Sequence, residues 1–239
     1  MAGSDHRDTA AGGSALLLDI EGTTTPISFV LQVLFPYAAG NVADFLMWHG
    51  EEPEVAAACR SILQDATPEE RRLHGEAAVL AVVQRQMAGD VKATGLKALQ
   101  GLIWRMGYEK GALRGQVFDD VPGSFARWGA TGRPIAIYSS GSRLAQKLLF
   151  RHSTAGDLST AISAYFDTEV GPKRDAASYR AIAQAWGQPP HRITFCSDVP
   201  AECSAAHAAG LNAVLIMRPG NPPLPALQPF EVHADLSAL

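Results

Sequence analysis

The stretch LLLDIEGTTTPISFV, residues 16–30, places two carboxylates, Asp19 and Glu21, two residues apart at the end of an apolar run. In extended backbone, residues i and i+2 point the same way. Two carboxylates held that close repel each other unless a cation stands beside them. Hard oxygen donors at a strand end suit magnesium, which keeps several waters and also takes phosphate oxygens. Gly22 permits an unusual backbone angle where the chain must turn. Thr23 is placed to cap that turn or to bond a substrate oxygen. An Asp followed by Gly and Thr also forms an ordinary strand-ending turn, so the pair gains weight only from its company elsewhere.

That company is threefold. Ser139, Ser140, Gly141 and Ser142 lead into a helical pattern. Hydroxyls and backbone N–H groups at a helix N-terminus make an anion site, and one serine can cap the helix while another faces the ligand. Lys173, in DTEVGPKRDAASY, precedes another helix. It is an ordinary surface lysine or, in a ligand-facing loop, the group that neutralises a phosphate or an aspartate. SDVPAE then sets Asp198 at a strand end as a further metal ligand. Glu202, four residues on, bonds the metal's waters or is a solvated helix residue.

These groups need elements that bring them together. Residues 15–20, 134–139, 193–197 and 212–217 are short apolar runs of the kind buried on both faces of a parallel sheet. Helical patterns cover 142–150, 175–186 and 200–209. The alternation predicts an α/β fold, a doubly wound Rossmann-like parallel sheet. Ligands bind such sheets beyond the carboxyl ends of the strands, where Asp19, Ser139, Ser140 and Asp198 fall. Residues 27–115 contain no buried-strand run and read as a helical cap inserted after the first strand. Pro36 is expected to start a helix. The expected division is a flexible tail at 1–14, a catalytic core formed by 15–26 with 116–239, and the cap at 27–115. Trp104 and Tyr108, four apart on one helix, are expected to pack rather than bind. His152 and Ser153 read as a helix-terminal turn, and the proline-rich segment after Arg218 as a surface loop.

Composition narrows the partners. Twenty Lys and Arg against 24 Asp and Glu give a net charge of −4, with no block of like sign. Nothing recommends nucleic acid or an anionic membrane. No run of about 18 consecutive apolar residues suggests a membrane span, and the first residues lack the apolar stretch of a secretory signal. Cys59, Cys196 and Cys203 have neither zinc nor disulfide spacing, which points to reduced thiols and a cytoplasmic setting. A monomer is expected, because no stray apolar helix face asks for a partner.

The four polar strand ends, in this order, resemble the haloacid dehalogenase superfamily. Its DxDxT motif stands here as DIEGT, with Glu21 in place of the second aspartate. Together with LFPYA, YSSGS, QKLLF, YFDT and MRPGN, the chain is similar to the enolase-phosphatases of methionine salvage over most of residues 15–221. The likeness is weakest between about 50 and 90. It implies a magnesium-dependent phosphatase with enolase activity, with one ion per subunit. The implied substrate is the small phosphorylated diketone 2,3-diketo-5-methylthiopentyl 1-phosphate, converted to an acireductone. It associates Asp19, Glu21 and Asp198 with the metal, and Ser139, Ser140 and Lys173 with the substrate. Asp19 is the expected nucleophile and Glu21 the expected acid and base. Glu21 meets the metal through its side chain or its carbonyl. The alternative is a phosphatase of the same superfamily acting on another small phosphate ester.

Overall fold

The computed structural model describes residues 15–89, 91–224 and 229–239; the expected tail at 1–14 lies outside them, as does part of the proline-rich loop. Six strands form one sheet: β1 (Ala15–Leu18), β2 (Ile135–Tyr138), β3 (Ile162–Phe166), β4 (Ile193–Ser197), β5 (Asn212–Ile216) and β6 (Glu231–His233). Their spatial order is β3-β2-β1-β4-β5-β6, and every pairing is parallel. The chain therefore builds outward from β1 on one side, then returns to build outward on the other. β1 and β4 flank the point where the order reverses, and that reversal opens a crevice at the strands' carboxyl ends. The expected doubly wound sheet is present.

The sheet divides the core. Leu16 and Leu18 of β1 face one layer, with Ile135, Ile137, Cys196 and Ile216. There they meet Val121, Phe125 and Trp128 of a helix at Asp120–Ala130, and Leu148 to Phe150 of another at Arg143–Arg151. Ala15 and Leu17 face the opposite layer, with Tyr138, Phe195 and Leu215 against Tyr179, Ile182, Cys203 and Ala206. Each fully buried large side chain contributes about 1.5–3 kcal/mol, so continuous apolar strands are what a sheet covered on both sides requires.

Between β1 and residue 110 the described elements are all helical: α1 (Ile27–His49), α2 (Pro53–Gln64), α3 (Glu76–Ala88) and α4 (Thr94–Glu109), with a 3₁₀ turn at Glu70–Arg72. Then follow α5 (Asp120–Ala130), α6 (Arg143–Arg151), α7 (Ala176–Trp186) and α8 (Pro200–Ala208).

Three findings correct or add to these expectations. Pro36 does not start a helix; it sits within α1. The chain accommodates it with a π turn at Val30–Leu34, where the N–H of Phe35 bonds the carbonyl of Val30. The wider turn eases the clash that a proline ring makes with the carbonyl four residues back. Second, α1 spans 23 residues and holds an 18-residue stretch of mean hydropathy 1.3, long and apolar enough by those measures to cross a membrane. A test for consecutive apolar residues misses it because Pro36, Asn41 and Asp44 interrupt. Here Phe29, Leu34, Ala38, Val42, Phe45 and Leu46 are buried among the other helices, while Leu31, Met47 and Trp48 face outward. Third, β3, β6 and α5 were not foreseen. β3 reads ISAYF and is only half-buried beyond its first residue, so it lacks a continuous apolar run. α5 contains Pro122, Gly123 and Gly129, which lower its helix propensity; burial of Val121, Phe125 and Trp128 compensates.

Arg218, 6% exposed, ties the strand-end loop to this frame. Its two terminal nitrogens donate to the two carboxylate oxygens of Asp120 at 2.7 and 2.9 Å, and its Nε donates to the carbonyl of Thr23 at 3.0 Å. Asp120 also accepts the N–H of Leu236 at 2.8 Å. Burial alone would raise the Asp120 carboxyl, but Arg218 and that N–H together hold it below the usual range. Removing one partner strands a buried charge, at a cost of about 3–5 kcal/mol. Asp120→Ala is therefore expected to lower the unfolding free energy in urea by about 3 kcal/mol; a change under about 0.5 kcal/mol would mean the pair adds no more than a surface ion pair.

Candidate active site

β1 and β4 run parallel with Leu18 opposite Cys196, and the N–H of Asp19 donates to the Cys196 carbonyl at 2.9 Å. Asp19 and Asp198 therefore leave the sheet at the same end. Asp19 is 2% exposed. The chain turns at once behind it: the N–H groups of Thr23, Thr24 and Thr25 all converge on the carbonyl of Ile20, at 3.1, 3.0 and 2.9 Å. The Thr24 hydroxyl donates to the Asp19 carbonyl at 3.1 Å. The threonine run is thus the knot that fixes the turn, and the Thr23 hydroxyl is buried without a partner. Gly22 has φ +73, and a methyl group there would lie 2.7 Å from Cγ of Asp198. Only glycine lets the Asp198 carboxylate lie against this turn.

Lys173 is fixed through its backbone. The Tyr138 hydroxyl donates to the carbonyl of Gly171 at 2.8 Å, Ser178 to that of Pro172 at 2.8 Å, and Tyr179 to that of Lys173 at 2.7 Å. The two tyrosine rings meet edge to face at 5.5 Å, and Tyr179 meets Phe195 likewise at 5.0 Å. So anchored, the Lys173 ammonium reaches Asp19 Oδ1 at 2.6 Å and Glu202 Oε2 at 2.7 Å. The Ser197 hydroxyl bridges the same two carboxyls, 3.0 Å from Asp19 Oδ2 and 3.1 Å from Glu202 Oε2.

The serine loop closes the other side. Ser139 is buried and its hydroxyl donates to Glu21 Oε2 at 3.3 Å. It is Ser142 that caps α6, accepting the N–H of Ala145 at 3.3 Å. Ser140 stands between them, partly exposed. The structure thus gathers Asp19, Glu21, Ser139, Lys173, Asp198 and Glu202 at one end of the sheet, with Ser140 beside them.

Four carboxyls share one lysine here. At about 4 Å, two like charges repel by ~4 kcal/mol near a protein surface, so the acids cannot all ionise freely. Burial first, then the Asp19 charge, pushes Asp198 up to about 6 and Glu202 up to about 7. The same two causes raise Glu21. Burial alone would lower Lys173, but Asp19, Glu202 and Glu21 together hold it above its ordinary value. An added cation would relieve the acids.

A metal ion fits these residues. Hard carboxylate oxygens are in surplus. The Asn221 side chain donates to the carbonyl of Gly22 at 2.9 Å, and its own oxygen is buried without a partner on the Gly22 cradle that also holds Asp198. An orphan acceptor there suits the hydrogens of a metal-bound water. Among the described residues, no three acidic, His or Cys side chains form a finished coordination shell. That pattern suits magnesium, which takes one or two carboxylates and completes its shell with waters and phosphate oxygens.

Above the strand ends lies a cavity of about 120 Å³. Its floor includes Glu21, Ser139, Ser140 and Gln146; its walls, from α1, α3 and α4, include Leu34, Phe35, Met87, Leu96, Gln100 and Trp104. Trp104 also packs as expected, stacked on Phe35 and bonded to the Leu34 carbonyl at 2.8 Å. Tyr108 stacks on His152 at 5.5 Å. Reading by strand ends misses Tyr138, Ser178, Tyr179, Ser197 and Gln146, which act from within elements, and Asn221, which acts from the loop after β5. A polar residue on an otherwise apolar helix or strand face was the available signal.

Residues 14–210 match the model of the haloacid dehalogenase-like hydrolases. Enolase-phosphatase E1 of Synechococcus elongatus is 53% identical over 87% of this chain and 90% of its own length. Enolase-phosphatase E1 of Drosophila persimilis is 48% identical over 94% and 93%. The crystal structure of the UTR4 protein of Saccharomyces cerevisiae superposes with a TM-score of 0.81 at 33% identity, covering 95% of this chain and all of that one, 100%. By these matches the chain belongs to the haloacid dehalogenase-like hydrolases and, within them, to the enolase-phosphatase E1 family.

Proposed function

We propose that this phosphatase converts 2,3-diketo-5-methylthiopentyl 1-phosphate to 1,2-dihydroxy-3-keto-5-methylthiopentene and phosphate, the enolase-phosphatase step of methionine salvage. The observation that carries the reading is the Asp19 carboxylate, pinned by Lys173 at 2.6 Å beside Ser139 and Glu21. The relatives' name, enolase-phosphatase, supplies the reaction class. Residues 27–115 act as a cap over a core formed by 15–26 and 116–239. The reading carries with it one magnesium ion per subunit, a monomer, and a cytoplasmic setting in keeping with three unpaired thiols.

The substrate is first enolised in the cavity: the carbon bearing the phosphate ester loses a proton, the neighbouring carbonyl oxygen gains one, and the carbon–carbon double bond forms between the two carbons, while the helical walls exclude water from the reactive enol. An Asp19 oxygen then attacks phosphorus, and the bond to the enolate oxygen breaks. Lys173 holds the attacking carboxylate in place and, with the Ser139 and Ser140 hydroxyls, binds phosphoryl oxygens. Glu21 is raised by burial and by Asp19, which suits it to give a proton to the leaving enolate oxygen. Once ionised, it takes a proton from the water that cleaves the aspartyl-phosphate. Its side chain is engaged with Ser139, so its carbonyl is assigned to the metal, with Asp19 and Asp198. When bound there, magnesium supplies charge that offsets the phosphoryl oxygens.

Asp19→Asn is expected to cut phosphate release by at least about a thousandfold, while ultraviolet absorbance of the enol still develops. Release at the parental rate would overturn the nucleophile. Comparing the diketo phosphate with generic sugar phosphates tests the substrate: equal efficiency would overturn the methionine-salvage assignment.

The raised acids also set a pH dependence. A carboxyl whose folded value lies above its unfolded value, near 4, stabilises the fold while protonated and loses that contribution as pH rises. Asp198 and Glu202, at about 6 and about 7, place the loss between pH ~4 and ~7. The metal-free protein is therefore expected to melt at lower temperature at pH 8 than at pH 5. Added magnesium, which competes with the protons, is expected to raise the melting temperature more at pH 8. A magnesium shift equal at both values would contradict the shared site.

A further inference from the structure

Gln146 is an amide on the buried side of α6, 1% exposed, where its neighbours Leu148, Leu149 and Phe150 are apolar. Its Nε2 donates to two carbonyls, Gly141 and Phe166, both at 2.8 Å. Two carbonyl acceptors fix the orientation, since an amide oxygen in that position would face both and repel them. The Gln146 oxygen is left buried without a partner, which is unfavourable for a polar atom. A leucine or methionine would avoid that cost, so packing alone does not account for the residue.

What the amide holds is the serine loop. Side chains on a helix lean toward its N-terminus, so Gln146, one turn into α6, reaches back to Gly141. The N–H of Gly141 in turn donates to the Ser139 hydroxyl at 3.1 Å. That bond occupies a lone pair of Ser139 and leaves its proton free to point into the cavity or to Glu21. The second carbonyl, Phe166, also accepts the N–H of Ser139 at 3.2 Å. Gln146 thus clamps both ends of the loop against the carboxyl end of β3, and it lines the cavity.

We propose that Gln146 is a positioning residue, whose amide clamp on Gly141 and Phe166 aims the Ser139 hydroxyl at the substrate's phosphoryl group. This rests on the reading that residues 139–140 bind phosphate. Gln146 acts through the loop and does not itself touch the phosphoryl group.

The test is a double-mutant cycle on competitive inhibition by inorganic phosphate, in magnesium-loaded Gln146→Met, Ser139→Ala and the double variant. Gln146→Met removes both clamp bonds and the orphan oxygen at nearly constant volume. It is expected to melt close to the parent and to weaken phosphate inhibition by about tenfold. With Ser139 already replaced, the same change is expected to cost less than about threefold. Parental inhibition in folded Gln146→Met, or losses that multiply fully in the double variant, would overturn the proposal. Should Gln146→Met not fold, Gln146→Glu takes its place in the cycle with the same expectations. If Ser139→Ala alone leaves inhibition unchanged, the loop does not bind phosphate through Ser139, and that reading falls together with this one.

Discussion

One buried ammonium stands at the centre of this molecule. Lys173 lies within 2.7 Å of both Asp19 and Glu202, while two more carboxyls, Glu21 and Asp198, press on the same few residues. Charges taken out of water must be paired, and removing one partner leaves the other stranded. The fold therefore invests heavily in placing Lys173, and much of the surrounding architecture follows from that. Three carbonyls in succession, from Gly171 to Lys173, are held by hydroxyls of Tyr138, Ser178 and Tyr179. The tyrosines are in turn wedged with Phe195 beneath the sheet. The cluster still carries more acid than base, and this imbalance is what suits it to receive a divalent cation and a phosphoryl group.

The sheet topology makes the cluster possible. Because the chain builds first to one side of β1 and then to the other, β1 and β4 become neighbours although Asp19 and Asp198 are far apart in sequence. The order of strands reverses at that junction, where polar groups at the strand ends converge. The helices inserted after β1 roof this opening. Their apolar side chains, Leu34, Phe35 and Leu96 among them, face the Glu21 carboxyl and the hydroxyls of Ser139 and Ser140 on the floor. Such a cavity takes a molecule with one charged end and one apolar end, and a phosphorylated methylthio diketone has that form.

Much of this was legible in the chain. A buried parallel strand must be apolar on both sides, so β1, β2, β4 and β5 announce themselves. Polar residues directly after such strands can only lie at the ligand-binding end, and this identified Asp19, Ser139 and Asp198. What escaped detection follows from the same physics. β3 lies at the sheet's edge and is half-exposed, so its pattern is mixed. α5 forms against its propensity because tertiary burial outweighs it. Pro36 misled because a π turn lets a helix pass through a proline. Within the site, the supports of Lys173 and of the serine loop belong to strands and helices, with Tyr138 closing β2 and Gln146, Ser178 and Tyr179 inside helices. Their hydrogen bonds depend on tertiary contacts that spacing along the chain does not encode.

The central claim is that Asp19 becomes covalently phosphorylated within this cluster. Acid-quenching the magnesium-loaded protein during turnover and mapping its peptides by mass spectrometry tests that directly. The account requires a phosphoryl group on the peptide containing Asp19, lost on treatment with hydroxylamine. Turnover with that peptide unmodified at every quench time, or with the label on another residue, would contradict it.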